Sequence, residues 1–469
     1  MNTPQSRERA VWAAVTVVLL AALALFAFSP RLLAGSAEDE TQAHLATIGE
    51  TMRFVRDNFV DADKSTPMVL YEGAMKGMLE ALGDPYSAYL TAEDMRYWDE
   101  TTTGQFGGIG LTFTKLDKVG GEVISSIEGT PAYRSGITAG DIILSVDGQS
   151  CADLSSDEIA RRIRGEPKTE VTLTIRRGEN ILFDVKLVRD VIEVPNVRRA
   201  MIPGGIGYLR ITQFMPQTYD RTREAITFFR ENGYTGLIID VRNNPGGLLS
   251  SVVNVANVFI ADGPIVSTRS ERSENENFVY TARRSRLMVD AKIPIVVLVD
   301  KGSASAAEIL AGALKDTSRA LLIGATTYGK GSVQQIRQIG GANFKLTMSR
   351  YLTPSGIVID KKGVEPDRTV VEPALTPEEE KSLSEILNAT WLADFVKANP
   401  RPSAAQVSAF VAGLHAKGIK LNDRYLRRLV RNEVEKTNNT PPVYDLDFDI
   451  QLNAAVKALS DGEVRTAGR

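Results

Sequence analysis

The chain has 469 residues, 43% of them apolar, with 55 Lys and Arg against 58 Asp and Glu for a net charge of −3, so it is long enough for several buried cores and carries no global basic field for nucleic acid. Only two histidines occur, His44 and His415, near opposite ends, which excludes a clustered histidine metal site and makes a Ser-His or Cys-His mechanism improbable. A single cysteine, Cys151, has no partner for an internal disulfide.

Arg7 and Arg9 precede an uncharged run from Ala10 to Ser29. As a helix that run would be about 30 Å long, the thickness of a bilayer core. It is expected to be a single membrane anchor, in preference to a cleaved signal peptide ending near Ala34 to Ala37. The basic flank then keeps the N-terminus in the cytoplasm and puts the rest across the inner membrane, in a periplasmic or other extracytoplasmic space. Residues 38–100 show helical spacing at Leu45, Ile48, Met52 and Val55 and again from Met68 to Leu82. Between Gly104 and Arg177 short β-rich runs alternate with glycine-bearing turns, interrupted by one helix near Ser156 to Ile163. From Gly205 to about Val371 strands and helices alternate: strands Ile206–Ile211, Leu237–Val241, Ile295–Val299 and Ala320–Ile323, helices Tyr219–Arg230, Leu249–Phe259 and Ser305–Leu314. Such alternation implies crossover βαβ units. Residues from Thr376 onward return to helical patterning. There Arg424, Arg427, Arg428 and Arg431 mix with Asp423, Glu433 and Glu435, a solvated mixed-charge face and not a nucleic-acid patch.

The chemistry concentrates between Asp240 and Gln334. Ser305 opens a helix after an apolar strand and a short link. Ser305-Ala-Ala-Glu308 is a capping box, a sufficient structural reason for both polar residues. The same position sets a hydroxyl beside the unpaired N–H of Ala306, half of an oxyanion hole. In Asp240-Val-Arg-Asn-Asn-Pro-Gly-Gly247 a strand runs into a glycine pair, and Gly246 or Gly247 is expected to offer the other donor; a type II turn is the structural alternative. Lys330, flanked by Gly329 and Gly331, can act as a general base if burial or a neighbouring cation removes its proton, with Gln334 holding the amine. Gly324 to Lys330 also fits the opening of a phosphate-binding loop, but Gly331 stands where Ser or Thr should follow, so nucleotide binding is not expected.

Together, Gly302-Ser-Ala-Ser-Ala-Ala-Glu308, Tyr328-Gly-Lys-Gly-Ser-Val-Gln334 and Arg242-Asn-Asn-Pro-Gly-Gly247 resemble the motifs of the carboxyl-terminal processing peptidases, or tail-specific proteases, across roughly residues 45–375. That resemblance implies a serine endopeptidase with a Ser-Lys dyad acting through an acyl-enzyme. The family spacing of 25 residues between serine and lysine selects Ser305, not Ser303, for Lys330. It makes Gln334 the third catalytic residue and implies neither metal nor cofactor. It also implies an α/β multidomain fold: a crotonase/Clp-protease-like peptidase core with an inserted β-rich PDZ domain and helical N- and C-terminal segments. The expected divisions are a membrane or signal segment at 1–37, an N-terminal helical segment at 38–103, the PDZ domain at 104–178, the core at 189–375 and a C-terminal extension at 376–469. Gly107, Gly108, Ile109, Gly110 and Leu111 then resemble a carboxylate-binding loop whose adjoining strand pairs with a substrate tail, and Arg164 resembles the family's basic residue at the PDZ edge. Expected partners are protein substrates held by their C-termini and the membrane, with a homo-oligomer or an activating adaptor also compatible. A proteolytically silent anchored PDZ scaffold is the alternative.

Overall fold

The computed structural model describes residues 12–19, 40–438 apart from 128, 139 and 194, and 442–464. Two compact units divide the chain, one comprising residues up to Leu90 with Ile336–Leu346, the other Thr91–Gln335 with Thr347 onward.

In the first unit the helical spacing forms helices at 40–58 and Pro67–Glu80, and strand Ala88–Leu90 pairs antiparallel with Asn343–Lys345. Thr66 caps the second helix by accepting from the Val69 N–H, and Pro67 occupies the first turn, where no donor is lost. The expected anchor is corrected. Among the described residues no helix is long and apolar enough to cross a membrane. Within the apolar run the described helix covers residues 12–19, about 12 Å at ~1.5 Å per residue against about 30 Å of hydrocarbon. The rest of that run lies outside the described residues. The membrane partner and the inner-membrane location built on that anchor are corrected with it.

The second unit holds a six-stranded sheet in the order Val197–Ile202, Ile206–Ile211, Gly236–Asp240, Ile295–Val299, Leu321–Gly324, Arg368–Thr369, antiparallel at the first pairing and parallel thereafter. Gly236–Asp240 and Ile295–Val299 are buried at every position, as strands apolar up to the terminal Asp240 and covered on both faces must be. Alternation assigns the faces. Leu237, Ile239, Ile295 and Val297 join a core with helices Thr218–Glu231, Leu249–Ala256 and Ala306–Asp316. Ile238, Val296 and Leu298 point the other way, onto Leu452, Ala455 and Ala458 of helix Ile450–Ser460, so the end of the C-terminal extension covers one face of the sheet. Helices 377–388, 391–398, 404–416 and 423–438 surround a separate core around Ile386, Leu414 and Leu426. The expected mixed-charge face is partly paired there, Glu372 with Arg424 and Arg428, Arg431 with Asp445 and Glu435.

The inserted domain is an antiparallel sheet in the order Leu111–Leu116, Gly120–Ser126, Ile142–Val146, Glu170–Arg177, Ile181–Val188, with helix Ser156–Ile163 packed on its apolar face through Ile159 and Ile163. Ile181–Val188, absent from the sequence expectation, pairs with Glu170–Arg177 along its whole length. Chain entry and exit pair with each other, Gln105–Gly108 against Asp190–Glu193. Beyond Lys330 the chain enters the eight-residue strand Ser332–Ile339, and no helix follows the Gly324 to Lys330 loop, which removes the phosphate-loop geometry.

Candidate active site

Strand Ile295–Val299 delivers the chain to Asp300, whose Oδ1 accepts the N–H groups of Gly302 and Asn243 and whose own N–H donates to Ser303 Oγ. Ser303 is wholly buried and also donates to the Val241 carbonyl, so its hydroxyl is spent on folding this link. Ser305 follows with φ 54° and ψ −114°, a conformation costly to a residue with a Cβ, at a sharp strand-to-helix turn of the kind that exposes a nucleophile. Helix Ala306–Asp316 begins there, and no described hydrogen bond uses the Ala306 N–H, while Ala307 and Glu308 donate back to Ala304 and Ser305. Its dipole directs partial positive charge at Ser305.

The glycine loop lies directly against this turn. A Cβ on Gly246 would fall 2.7 Å from Ser305 Cβ and 3.0 Å from the Ala306 nitrogen. Asn244, fully buried, shapes the loop: its carbonyl accepts the Ala304 N–H, its amide donates to the Ile211 carbonyl and its Oδ1 accepts the Gly246 N–H. Gly246 is therefore engaged as a donor. Gly247, at φ 139° and with Phe214 carbonyl where a Cβ would go, has no described partner for its N–H. Of the two expected oxyanion donors, Gly247 is the one with a hydrogen to give. Gly246→Ala is expected to lower kcat at least about tenfold by pushing the loop off Ser305 with φ held at 108°. Wild-type turnover in that variant would show that the loop is not part of the site.

Glu308 does more than cap. Its carboxylate, wholly buried, accepts from the Ser305 N–H at 2.8 Å and the Lys330 N–H at 2.8 Å on Oε2, and from Thr327 Oγ1 at 2.5 Å and the Gly329 N–H at 2.7 Å on Oε1. Since one oxygen holds both, the backbone nitrogens of Ser305 and Lys330 lie within twice 2.8 Å of each other. Four donors satisfy a carboxylate whose burial would otherwise cost several kcal/mol. Thr327 in turn accepts the Val364 N–H, and the backbone of Asp360 sits where a Cβ on Gly331 would go, so glycine there permits the close passage of a second chain segment. Gln334 donates from Nε2 to Ser332 Oγ and Thr347 Oγ1.

Behind the glycine loop a buried charge network ends the neighbouring strand. Arg242 donates from Nε and Nη2 to both oxygens of Asp240, and Tyr208 and Arg210 also face Asp240. Burial alone would push the Asp240 carboxyl up; Arg242, Arg210 and the Tyr208 hydroxyl outweigh it and hold the group below the ordinary carboxylate range. A depressed folded-state pKa contributes stability that is present above the unfolded value of about 3.9 and is lost as pH falls through the folded one. Melting temperature is expected to fall below about pH 4 less steeply in Asp240→Asn than in the parent chain; parallel curves would assign the acid sensitivity to other carboxylates.

In the inserted domain, Leu111–Leu116 is an edge strand, and Leu111 and Phe113 face helix Ser156–Ile163 across the apolar core. Ile109 and Gly110 turn their carbonyls inward, to the N–H groups of Ala132 and Ile127, and Gly110 at φ 76° lies against Thr130. Gly107 and Gly108 stand apart from this turn, in the strand that pairs with Asp190 and Val191. Arg164 ends the helix with its guanidinium 4.7 Å from the centre of the Phe106 ring.

The matches to known proteins fall on these same regions. The model for peptidase family S41 matches residues 205–370, a PDZ domain model 122–177, and the model for the N-terminal domain of the activating protease CtpB 30–94. The chain is 37% identical over 404 residues to the carboxy-terminal-processing protease of Bartonella bacilliformis, covering 85% of this chain and 90% of that protein. It is 37% identical over 338 residues to a protein of Staphylococcus aureus described as a probable CtpA-like serine protease, covering 71% of this chain and 66% of the other. Among solved structures, a photosystem II D1 C-terminal processing protease aligns with 28% identity and a TM-score of 0.42 over 73% of this chain and 96% of its own.

Proposed function

This chain belongs to the carboxy-terminal-processing proteases of peptidase family S41, serine endopeptidases that recognise substrate C-termini through a PDZ domain, and on that premise we propose that Ser305 is its nucleophile and Lys330 its general base. Neutral Lys330 takes the Ser305 proton as Oγ attacks the scissile carbonyl. Ala306 and Gly247 N–H groups stabilise the tetrahedral oxyanion, the amine leaves with the proton returned from Lys330, and Lys330 then activates water to release the acyl group. Gln334, its amide nitrogen already committed to Ser332 and Thr347, presents its carbonyl oxygen as the group that orients the amine. The observation that carries this reading is the single Glu308 oxygen bonded to the N–H of Ser305 and of Lys330, residues 25 positions apart.

Substrate tails add as a strand beside Leu111–Leu116, with the terminal carboxylate at the Ile109–Leu111 turn, the last side chain between Leu111 and Ile159, and Arg164 at the edge. The mostly parallel sheet, with the helices of 189–375 packed on one face and the C-terminal helix on the other, supports a core of the crotonase and Clp-protease kind over 189–375. The remaining divisions are 38–103, the PDZ domain from 104, extended past 178 to include Ile181–Val188, and 376–469. Incubating the full chain with an unfolded protein ending in apolar residues tests the function: internal cleavage that requires Ser305 and weakens when the tail is amidated is expected, and binding without cleavage would make the protein a scaffold instead.

A further inference from the structure

Arg242 does not serve Asp240 alone. Its Nη1 and Nη2 also donate to the two oxygens of Asp449, at 2.9 and 2.6 Å, and Nη1 reaches Gln451 Oε1 at 3.0 Å. Asp449 belongs to the C-terminal extension, 207 residues away in sequence. It is the N-cap of helix Ile450–Ser460, accepting the Leu452 N–H at 2.9 Å on the oxygen that also meets Nη1. That helix is seated on the sheet by Leu452, Ala455 and Ala458, all wholly buried, and by Gln451, whose Nε2 donates to the Val370 carbonyl. Asp449 is thus a fixed point.

Arg242 stands at the opposite end of the same contact, two residues before Asn244 and five before Gly247. A guanidinium clamped flat between two carboxylates cannot rotate about either pair without breaking at least two charge-assisted bonds. The glycine loop that leaves it is strained already, with Asn243 at φ 54°. Asn244 holds its middle through Ile211 and Ala304, Gly246 and Leu248 hold its far side against Phe214, and Arg242 holds the end where it leaves the strand. We propose that Asp449 is a positioning residue for the oxyanion donors: through Arg242, the C-terminal helix sets the loop that carries the Gly247 N–H.

This inference rests on the catalytic reading of Ser305 and Gly247, and its test separates the two. In Asp449→Asn, kcat per folded molecule is expected to fall about tenfold to a hundredfold, as small misplacements of catalytic groups do, with KM and the affinity of the PDZ domain for a tail peptide within twofold of the parent. A peptidyl boronic acid, whose tetrahedral adduct on Ser305 needs the oxyanion donors, is expected to lose affinity in parallel with kcat. Asp449→Glu, which keeps the charge, is expected to recover most of the loss. Unchanged kcat per folded molecule in Asp449→Asn overturns the proposal, and so does a loss seen only as a smaller folded fraction. If the parent chain shows no Ser305-dependent hydrolysis, the catalytic reading is what fails. Amide exchange at residues 242–247 then still decides the clamp: faster exchange in Asp449→Asn supports it, and identical exchange removes it.

Discussion

Ser305→Ala is expected to lower peptide hydrolysis by at least about 10⁴-fold while the chain still folds and still binds a tail peptide. In the proposed mechanism the hydroxyl is the attacking group, whereas the structural duties of this turn belong to other atoms. Glu308 holds the Ser305 backbone N–H, Ser303 holds the link behind it, and the Ala304 N–H bonds to Asn244. Lys330→Ala is expected to lose nearly as much, because a serine without its base remains a neutral alcohol. Since the two act on one proton, the double variant is expected to be no slower than the worse single one. Hydrolysis persisting in Ser305→Ala would refute the assignment, and additive losses in the double variant would mean that Lys330 acts elsewhere.

Glu308→Gln is expected to be the most damaging change at a residue that touches no substrate. An amide of the same shape replaces one acceptor oxygen by a donor, so at least one of the four inward-facing donors, on Ser305, Thr327, Gly329 and Lys330, meets another donor in a buried site. Each orphaned buried group costs about 1–3 kcal/mol. The loop after Gly324 and the helix at Ser305 are then no longer tied through one carboxylate, and kcat is expected to drop about a hundredfold. Tail-peptide binding, which uses the inserted domain, is expected to hold. A variant that loses stability but keeps kcat per folded molecule would reduce Glu308 to a helix cap.

Local physics made much of this readable. Gly236–Asp240 and Ile295–Val299 are apolar at nearly every position and became the central buried strands. The serine after a strand and before an apolar helical face did open a helix, and the glycine pair did form a tight loop. Strands with mixed faces were harder. Ile181–Val188 and Ser332–Ile339 earn their strand state from the neighbour they pair with, and their own residues carry a weaker signal. The expected anchor in the apolar N-terminal run is not borne out among the described residues, whose helix there is eight residues long.

Taken by itself, the sequence determined the alternating strands and helices of the central sheet, the family motifs and the absence of a central histidine, because each is a property of neighbouring residues or of their spacing. The resemblance to the family, through its 25-residue spacing between serine and lysine, implied Ser305 in preference to Ser303. Tertiary structure alone decided which polar groups were already spent. It engaged the Gly246 N–H with Asn244 and left that of Gly247 without a described partner. It turned Glu308 from a cap into the bond between the backbones of Ser305 and Lys330, and joined Arg242 to Asp449 across 207 residues. A buried hydrogen-bonding group must find its partner wherever packing brings one within about 3 Å, and no local pattern specifies that choice.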